Sequence, residues 1–252
     1  MPAVTIDELV SVPSDRVQER VTPRSRAGQR FQPMAERDLH PTLRDLAGRL
    51  PGAANGVVVI ADMPGPAGLP DLVAVPLTAK LATRMDSVCP PLLAWADARL
   101  AAGCSTTRPL SVATLARRLS TDVDSTRRRA RRLSRSGALI ECGSGFVRAQ
   151  ELEPIGRLYA LEAKVDDWSG GLGQALRYGA WADASAVVVG KLPRDHSRAV
   201  SLASQLGLGL ALGPSWLVRP RVRRLALARR LWASEFVVAA LEATAPPVVM
   251  QV

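Results

Sequence analysis

The chain is short of several things, and each shortage narrows what it can be. Lysine occurs only at positions 80, 164 and 191, so its positive charge is carried almost wholly by arginine. Cysteine occurs only at positions 89, 104 and 142, an odd number without CxxC spacing. That excludes a disulfide framework and a cysteine zinc site, and fits a reducing, cytoplasmic setting. Aromatic residues make up 4% of the chain, so its core must be built from Leu, Val and Ala. No run of about 18 apolar residues occurs, so no membrane span is expected. Asp7, Glu8 and Asp15 follow no apolar run, which excludes a secretory signal at this end.

What is present is basic and apolar. The 252 residues are 47% hydrophobic, enough for one large domain or two small ones. The formal net charge is +10 and the pI about 10.8, a balance that suits a polyanionic partner. Residues 1–33 carry Pro13, Pro23 and Pro33 among scattered charges, with one short apolar pattern at Val4, Ile6, Leu9 and Val10. They read as a flexible leader.

From Pro33 to Leu50, the spacing of Leu39, Leu43, Leu46 and Leu50 predicts a helix with Glu36 near its start, ended by Pro51-Gly52. Glu36 there favours the helix dipole. Two β-branched stretches follow, Val57–Ile60 and Leu69–Val75, read as strands joined by the loop 62–68. Asp71 lies early in the second, where Asp is unfavourable unless it serves a turn or a ligand.

The composition shifts between residues 90 and 150. A helix ending at Gly103 precedes Ser111–Leu119, with Ser111 as N-cap. A turn leads to a basic helix over Ser125–Ser136, stopped by Gly137. Two short strands around Gly143-Ser144-Gly145 then form a hairpin. From Arg108 to Arg148 there are ten arginines against Asp122, Asp124 and Glu141, so this stretch holds most of the excess charge.

After Pro154 comes the stretch Arg157–Trp168, an apolar strand interrupted by Glu162 and Lys164. Residues two apart on a strand share a face, so these two charges point the same way. A charge inside an apolar strand is costly unless it is paired or binds a metal. Ser169-Gly-Gly-Leu-Gly173 reads as a loop before a helix from Leu172 to about Ala182. Gln174 and Tyr178, four apart, share one face of that helix. A strand at 184–189, a helix at 196–206, a strand at 208–212 and a long helix from Pro220 to about Ala243 complete an α/β pattern.

Two resemblances follow. Residues 90–150 resemble a winged helix-turn-helix, on Val112, Leu115, Ala116 and Leu119, Val123 in the turn, Ala130 and Leu133, and the Gly137–Ile140 entry to the wing. The resemblance implies a basic helix in the major groove of DNA, with Arg127, Arg128, Arg129, Arg131, Arg132, Arg135 and Arg148 as contacts. Residues 34–76 and 155–213, taken together, look like a PD-(D/E)xK nuclease core of the RecB-like branch, whose two parts are expected over 34–89 and 151–252. The match is carried by Pro70-Asp71, Glu162-Ala163-Lys164 and Gln174…Tyr178. This implies an α/β fold with a mixed central sheet flanked by helices, interrupted by the winged module. It also implies Asp71 and Glu162 as ligands of Mg²⁺ (or Mn²⁺), with Glu36 as a further ligand. Lys164 would activate water, and Gln174 and Tyr178 would assist. The long gap between Asp71 and Glu162 leaves Asp62 and Asp86 as alternatives to Asp71. The expected function is a DNA-binding, metal-dependent nuclease, a homodimer if it cuts both strands. The alternative is a winged-helix regulator whose nuclease-like fold is inert.

Overall fold

The computed structural model describes residues 17–21 and 34–244 of the chain. The Val4–Val10 pattern and the expected leader other than residues 17–21 lie outside the described residues. Within that leader, Val17–Val21 is a strand, β1, paired parallel to β2 at Val57–Ala61, which corrects the reading of these five residues as flexible. β3 (Leu72–Pro76) runs antiparallel to β2, and β6 (Tyr159–Lys164) antiparallel to β3. β7 (Ala184–Val189) and β8 (Gly209–Leu212) continue in parallel, and β9 (Ser215–Val218) closes the edge antiparallel. The result is a seven-stranded mixed sheet in the order β1-β2-β3-β6-β7-β8-β9. A separate hairpin pairs β4 (Leu139–Cys142) with β5 (Gly145–Arg148).

Helices cover both faces. The expected first helix is broken in two, α1 (Met34–Arg37) and α2 (His40–Ala47), with Pro41 in the first turn of the second, where its missing N–H costs nothing. α2 buries Leu43, Leu46 and Ala47 against Val57, Val59, Leu161 and Ala163 on one face of the sheet. α7 (Trp168–Tyr178), α8 (Ser197–Leu206) and α9 (Leu227–Thr244) pack on the other face. The sheet is thus buried on both sides, which is why its central strands read as continuous apolar runs.

α7 starts four residues earlier than the glycine-rich sequence suggests. The Asp167 carboxylate accepts the Gly170 N–H at 2.8 Å and caps the helix, so Gly170, Gly171 and Gly173 are helical. Gly171 has a packing reason. A Cβ there would lie 2.7 Å from Val187 Cγ1 and 3.0 Å from Lys164 Cγ. Only a glycine lets α7 lie this close to β6 and β7. Two further elements were not expected: the edge strand β9 and the short helix α3 (Ala79–Met85), capped by Thr78. Arg221–Ala226, read as helix, precedes α9 without being helical.

The stretch between β3 and β6 builds its own apolar centre. α4 (Trp95–Gly103), α5 (Val112–Leu119), α6 (Val123–Arg135) and the β4–β5 hairpin enclose Leu100, Leu115, Leu133, Leu139 and Phe146. Leu231 of α9 completes it. α9 therefore belongs to two cores, because Ala233, Val237 and Val238 pack on the sheet. At the seam Trp232 stacks on Trp95 at 5.1 Å, tilted by 58°, and donates its indole N–H to Leu93 O. Beside it the Arg84 guanidinium and the Glu235 carboxylate, both fully buried, form a bidentate pair at 3.0 and 2.7 Å. No described helix is long and apolar enough to cross a membrane.

Candidate active site

The register of β3 on β6 sets Leu72 opposite Leu161. Extended by one residue, it sets Asp71 opposite Glu162, so the long insertion leaves the two acids on neighbouring strands. Asp71 is the last residue before β3 rather than part of it, where an acid disturbs no ladder bond. Its Oδ2 accepts the backbone N–H of Ala163 at 2.7 Å, between Glu162 and Lys164. Glu162 and Lys164 point to the face covered by α7, as their spacing requires. Lys164 Nζ lies 2.9 Å from Glu162 Oε1 and 3.4 Å from Glu36 Oε1. The Tyr178 hydroxyl donates to Glu162 Oε2 at 2.7 Å and approaches Leu69 O at 3.2 Å.

The loop between β2 and β3 holds Asp71 in place. Trp181 donates its indole N–H to Ala67 O at 2.9 Å. Gly68 has φ +89°, and a Cβ on it would meet the Tyr178 ring at 2.8 Å. A side chain here would push the loop off α7 and withdraw the Leu69 carbonyl from Tyr178.

Electrostatics follow from burial. Asp71 is 4% exposed and Glu162 3%. Burial and then repulsion from Asp71 push the Glu162 carboxyl up to about 7, against the pull of Lys164 and Tyr178. Burial also raises Asp71, opposed by the Ala163 N–H, Lys164 and His40. Burial works against the Lys164 charge, but Glu162, Glu36 and Asp71 outweigh it and hold the ammonium protonated above its usual range. Burial and the neighbouring Glu162 charge raise Tyr178, so the hydroxyl keeps its proton and acts as a donor.

The structure thus brings Asp71, Glu162, Lys164, Tyr178 and Glu36 together. Glu36 meets the group through Lys164. Gln174 is half-buried one turn before Tyr178, and none of the site's hydrogen bonds runs to it. Asp86, at the end of α3, is exposed and away from the group. Asp62 adjoins through its backbone, donating its N–H to Asp71 O at 3.2 Å. Two participants carried no sequence signal. His40, whose field reaches Asp71, looks like any polar residue opening a helix. The Ala163 N–H belongs to a residue with no functional side chain.

The donor set suits a hard divalent cation. Asp71 and Glu162 offer acceptor-only oxygens whose burial and mutual repulsion a cation would relieve. Among the described residues no three His, Cys, Asp or Glu are gathered as a ready-made cage. Two carboxylates suit Mg²⁺, which keeps several of its own waters.

The arginines of α6 divide into two sets. Arg128, Arg131 and Arg135 lie along one exposed face at i, i+3 and i+7 with no acidic partner among the described residues. Arg129 and Arg132 turn to α4, where both pair with the buried Asp97. Arg127 pairs with the exposed Asp124 one turn back. Arg148, expected among the DNA contacts, is 5% exposed on β5, with Nη1 at a long 3.5 Å from Cys104 O. No family model, no curated protein and no solved structure matches this chain.

Proposed function

We propose that the protein is a DNA-binding, Mg²⁺-dependent phosphodiesterase of the PD-(D/E)xK type, directed to its substrate by the helical module. The observation that carries this reading is the meeting of Asp71, Glu162 and Lys164 on adjacent strands, from positions far apart in sequence. Mg²⁺ (or Mn²⁺) would be held by Asp71 and Glu162, where it supplies charge neutralisation at a phosphodiester and a more acidic water. Lys164, kept charged by its three acidic neighbours, is placed to stabilise negative charge building on phosphate oxygens. Tyr178 fixes the orientation of Glu162 through one hydroxyl bond, and Glu36 holds the second side of the ammonium. The face of α6 with Arg128, Arg131 and Arg135 would lie along the duplex in the manner of a winged helix, contributing phosphate contacts.

A second reading is a DNA-binding regulator on an inert nuclease-like scaffold. One observation favours it: both oxygens of Glu162 already accept, one from Lys164 and one from Tyr178. Supercoiled plasmid incubated with the protein and Mg²⁺ separates the two. Nicking that stops on chelation supports the enzyme. Salt-sensitive retardation without nicking supports the regulator.

A further inference from the structure

A second site of different character lies at the opposite end of the same strands. A cavity of about 580 Å³ opens where β3 ends and where the chain enters β6, at the seam with the helical module. Asp71 and Lys164 lie at the other ends of these strands, roughly 15–20 Å away at about 3.3 Å per residue. The cavity wall carries Lys80, Arg148, Arg157 and Arg230 against a single acid, Glu153. Glu153 is already ion-paired to Lys80. Arg230 is held by Asp183 behind the wall and by Gly156 O.

Arg148 is different. It is 95% buried, since only 5% of its surface is exposed. Its Nε has no hydrogen-bond partner among the described residues, and its Nη1 has only the long contact to Cys104 O. Glu153 lies within reach of its charge but is held by Lys80, and a buried guanidinium that no acid bonds is expensive unless an anion completes it. Arg157, exposed on the same wall, bonds the Tyr159 hydroxyl and feels the buried Asp183, and its exposed guanidinium adds a second positive charge. Pro51, Pro76, Pro154 and Leu227 give the remaining wall apolar surface, beside Leu77 and Thr78. Its volume falls in the range of small-molecule sites, roughly 300–1,000 Å³, and exceeds what a bare phosphate would fill.

We propose that this cavity binds a nucleoside phosphomonoester, with Arg148 and Arg157 on the phosphate and the proline-lined wall against the base. The fork of a guanidinium matches phosphate oxygens in pairs, and apolar side chains accept the faces of a base. The ligand is either a free nucleotide or the phosphorylated end of a strand. The site is built from residues apart from Asp71, Glu162 and Lys164, so it stands independently of the proposed cleavage.

The test is calorimetric titration of the full chain with dAMP, deoxyadenosine, and an eight-nucleotide strand with and without a 5′-phosphate. dAMP is expected to bind at least about tenfold more tightly than deoxyadenosine, the equivalent of one charge-assisted contact. Arg157→Ala, at an exposed position, should lose most of that difference without unfolding the protein. Arg148→Met should abolish it, and Arg148→Lys should restore part. If the phosphorylated strand also gains affinity through Arg148 and Arg157, the ligand is a strand end; if dAMP alone does, it is a free nucleotide. Equal binding of dAMP and deoxyadenosine, no binding of dAMP at millimolar concentration, or an Arg157→Ala protein that binds dAMP as the parent does would each overturn the proposal.

Discussion

The Asp71 carboxylate accepts the backbone N–H of Ala163 at 2.7 Å across 92 positions of sequence. That bond ties the start of β3 to the middle of the Glu162–Lys164 pair. It also separates folding from chemistry. Asp71→Asn keeps an acceptor for Ala163 while removing the charge, so it should fold like the parent. It should also lower the Glu162 carboxyl from about 7, because repulsion from Asp71 is the second cause of that elevation. Carbon-detected NMR titration of the Glu162 side chain checks this, and an unchanged midpoint contradicts it.

Mg²⁺ should stabilise the protein in a pH-dependent way. The folded-state pKa of Glu162 is raised, so protonation favours the folded state. The stability this group contributes is present below its unfolded value near 4.5 and is lost as pH rises through about 7. A cation binds the ionised pair and offsets that loss. The rise in Tm on adding Mg²⁺ should therefore be small at pH 5.5 and larger at pH 8. A Tm rise independent of pH would separate Mg²⁺ binding from these carboxylates.

Tyr178→Phe removes a donor from Glu162 and from the neighbourhood of Leu69 O. Stability should fall by about 1–3 kcal/mol, the usual range for leaving a buried acceptor short of a partner. The hydroxyl favours the ionised carboxylate, so its loss should move the acid limb of any cleavage profile to higher pH. Denaturant unfolding and a pH–rate profile measure the two effects separately.

The arginines of α6 should not behave alike. Changing Arg128, Arg131 or Arg135 to Gln should each reduce the slope of log binding constant against log salt by about 1, as expected for a lost phosphate contact. Arg129→Gln should change the slope less, because that side chain is already paired with Asp97. Retardation assays across a salt series read this directly.

The seam between the sheet and the module rests on the pair Arg84–Glu235, both side chains fully buried. Arg84→Met should cost about 3–5 kcal/mol, the range for leaving a buried charge without its partner. Adding Glu235→Leu to it should recover only part of the loss, because Glu235 Oε2 also accepts the buried Leu92 N–H at 2.9 Å. Urea unfolding of the single and double variants checks the cycle.

The legible part of this fold was whatever periodicity and short-range chemistry determine. The apolar runs of β2, β7 and β8 announced buried strands, and Ser111 and Gly137 marked the limits of α5 and α6. The shared face of Glu162 and Lys164 followed from strand geometry alone. The rest needed tertiary contacts. Gly171 reads as a loop residue until Val187 and Lys164 are seen against it. β1 has its partner 40 residues away, which no local pattern reports. Arg148 looks like one more surface arginine in a basic stretch, and only the packing of β5 at the seam shows it buried beside a cavity. His40 and Ala163 reach the site through position rather than residue type.

The most direct measurement is the rate of plasmid nicking in Mg²⁺ by the parent, Asp71→Asn and Lys164→Ala, each checked for folding by circular dichroism. The predicted result is metal-dependent nicking by the parent and a loss of about a hundredfold or more in each variant, the scale of removing one charge-stabilising group. Parent-like rates in either variant, or no nicking by the parent, would contradict a cleavage site built on Asp71, Glu162 and Lys164.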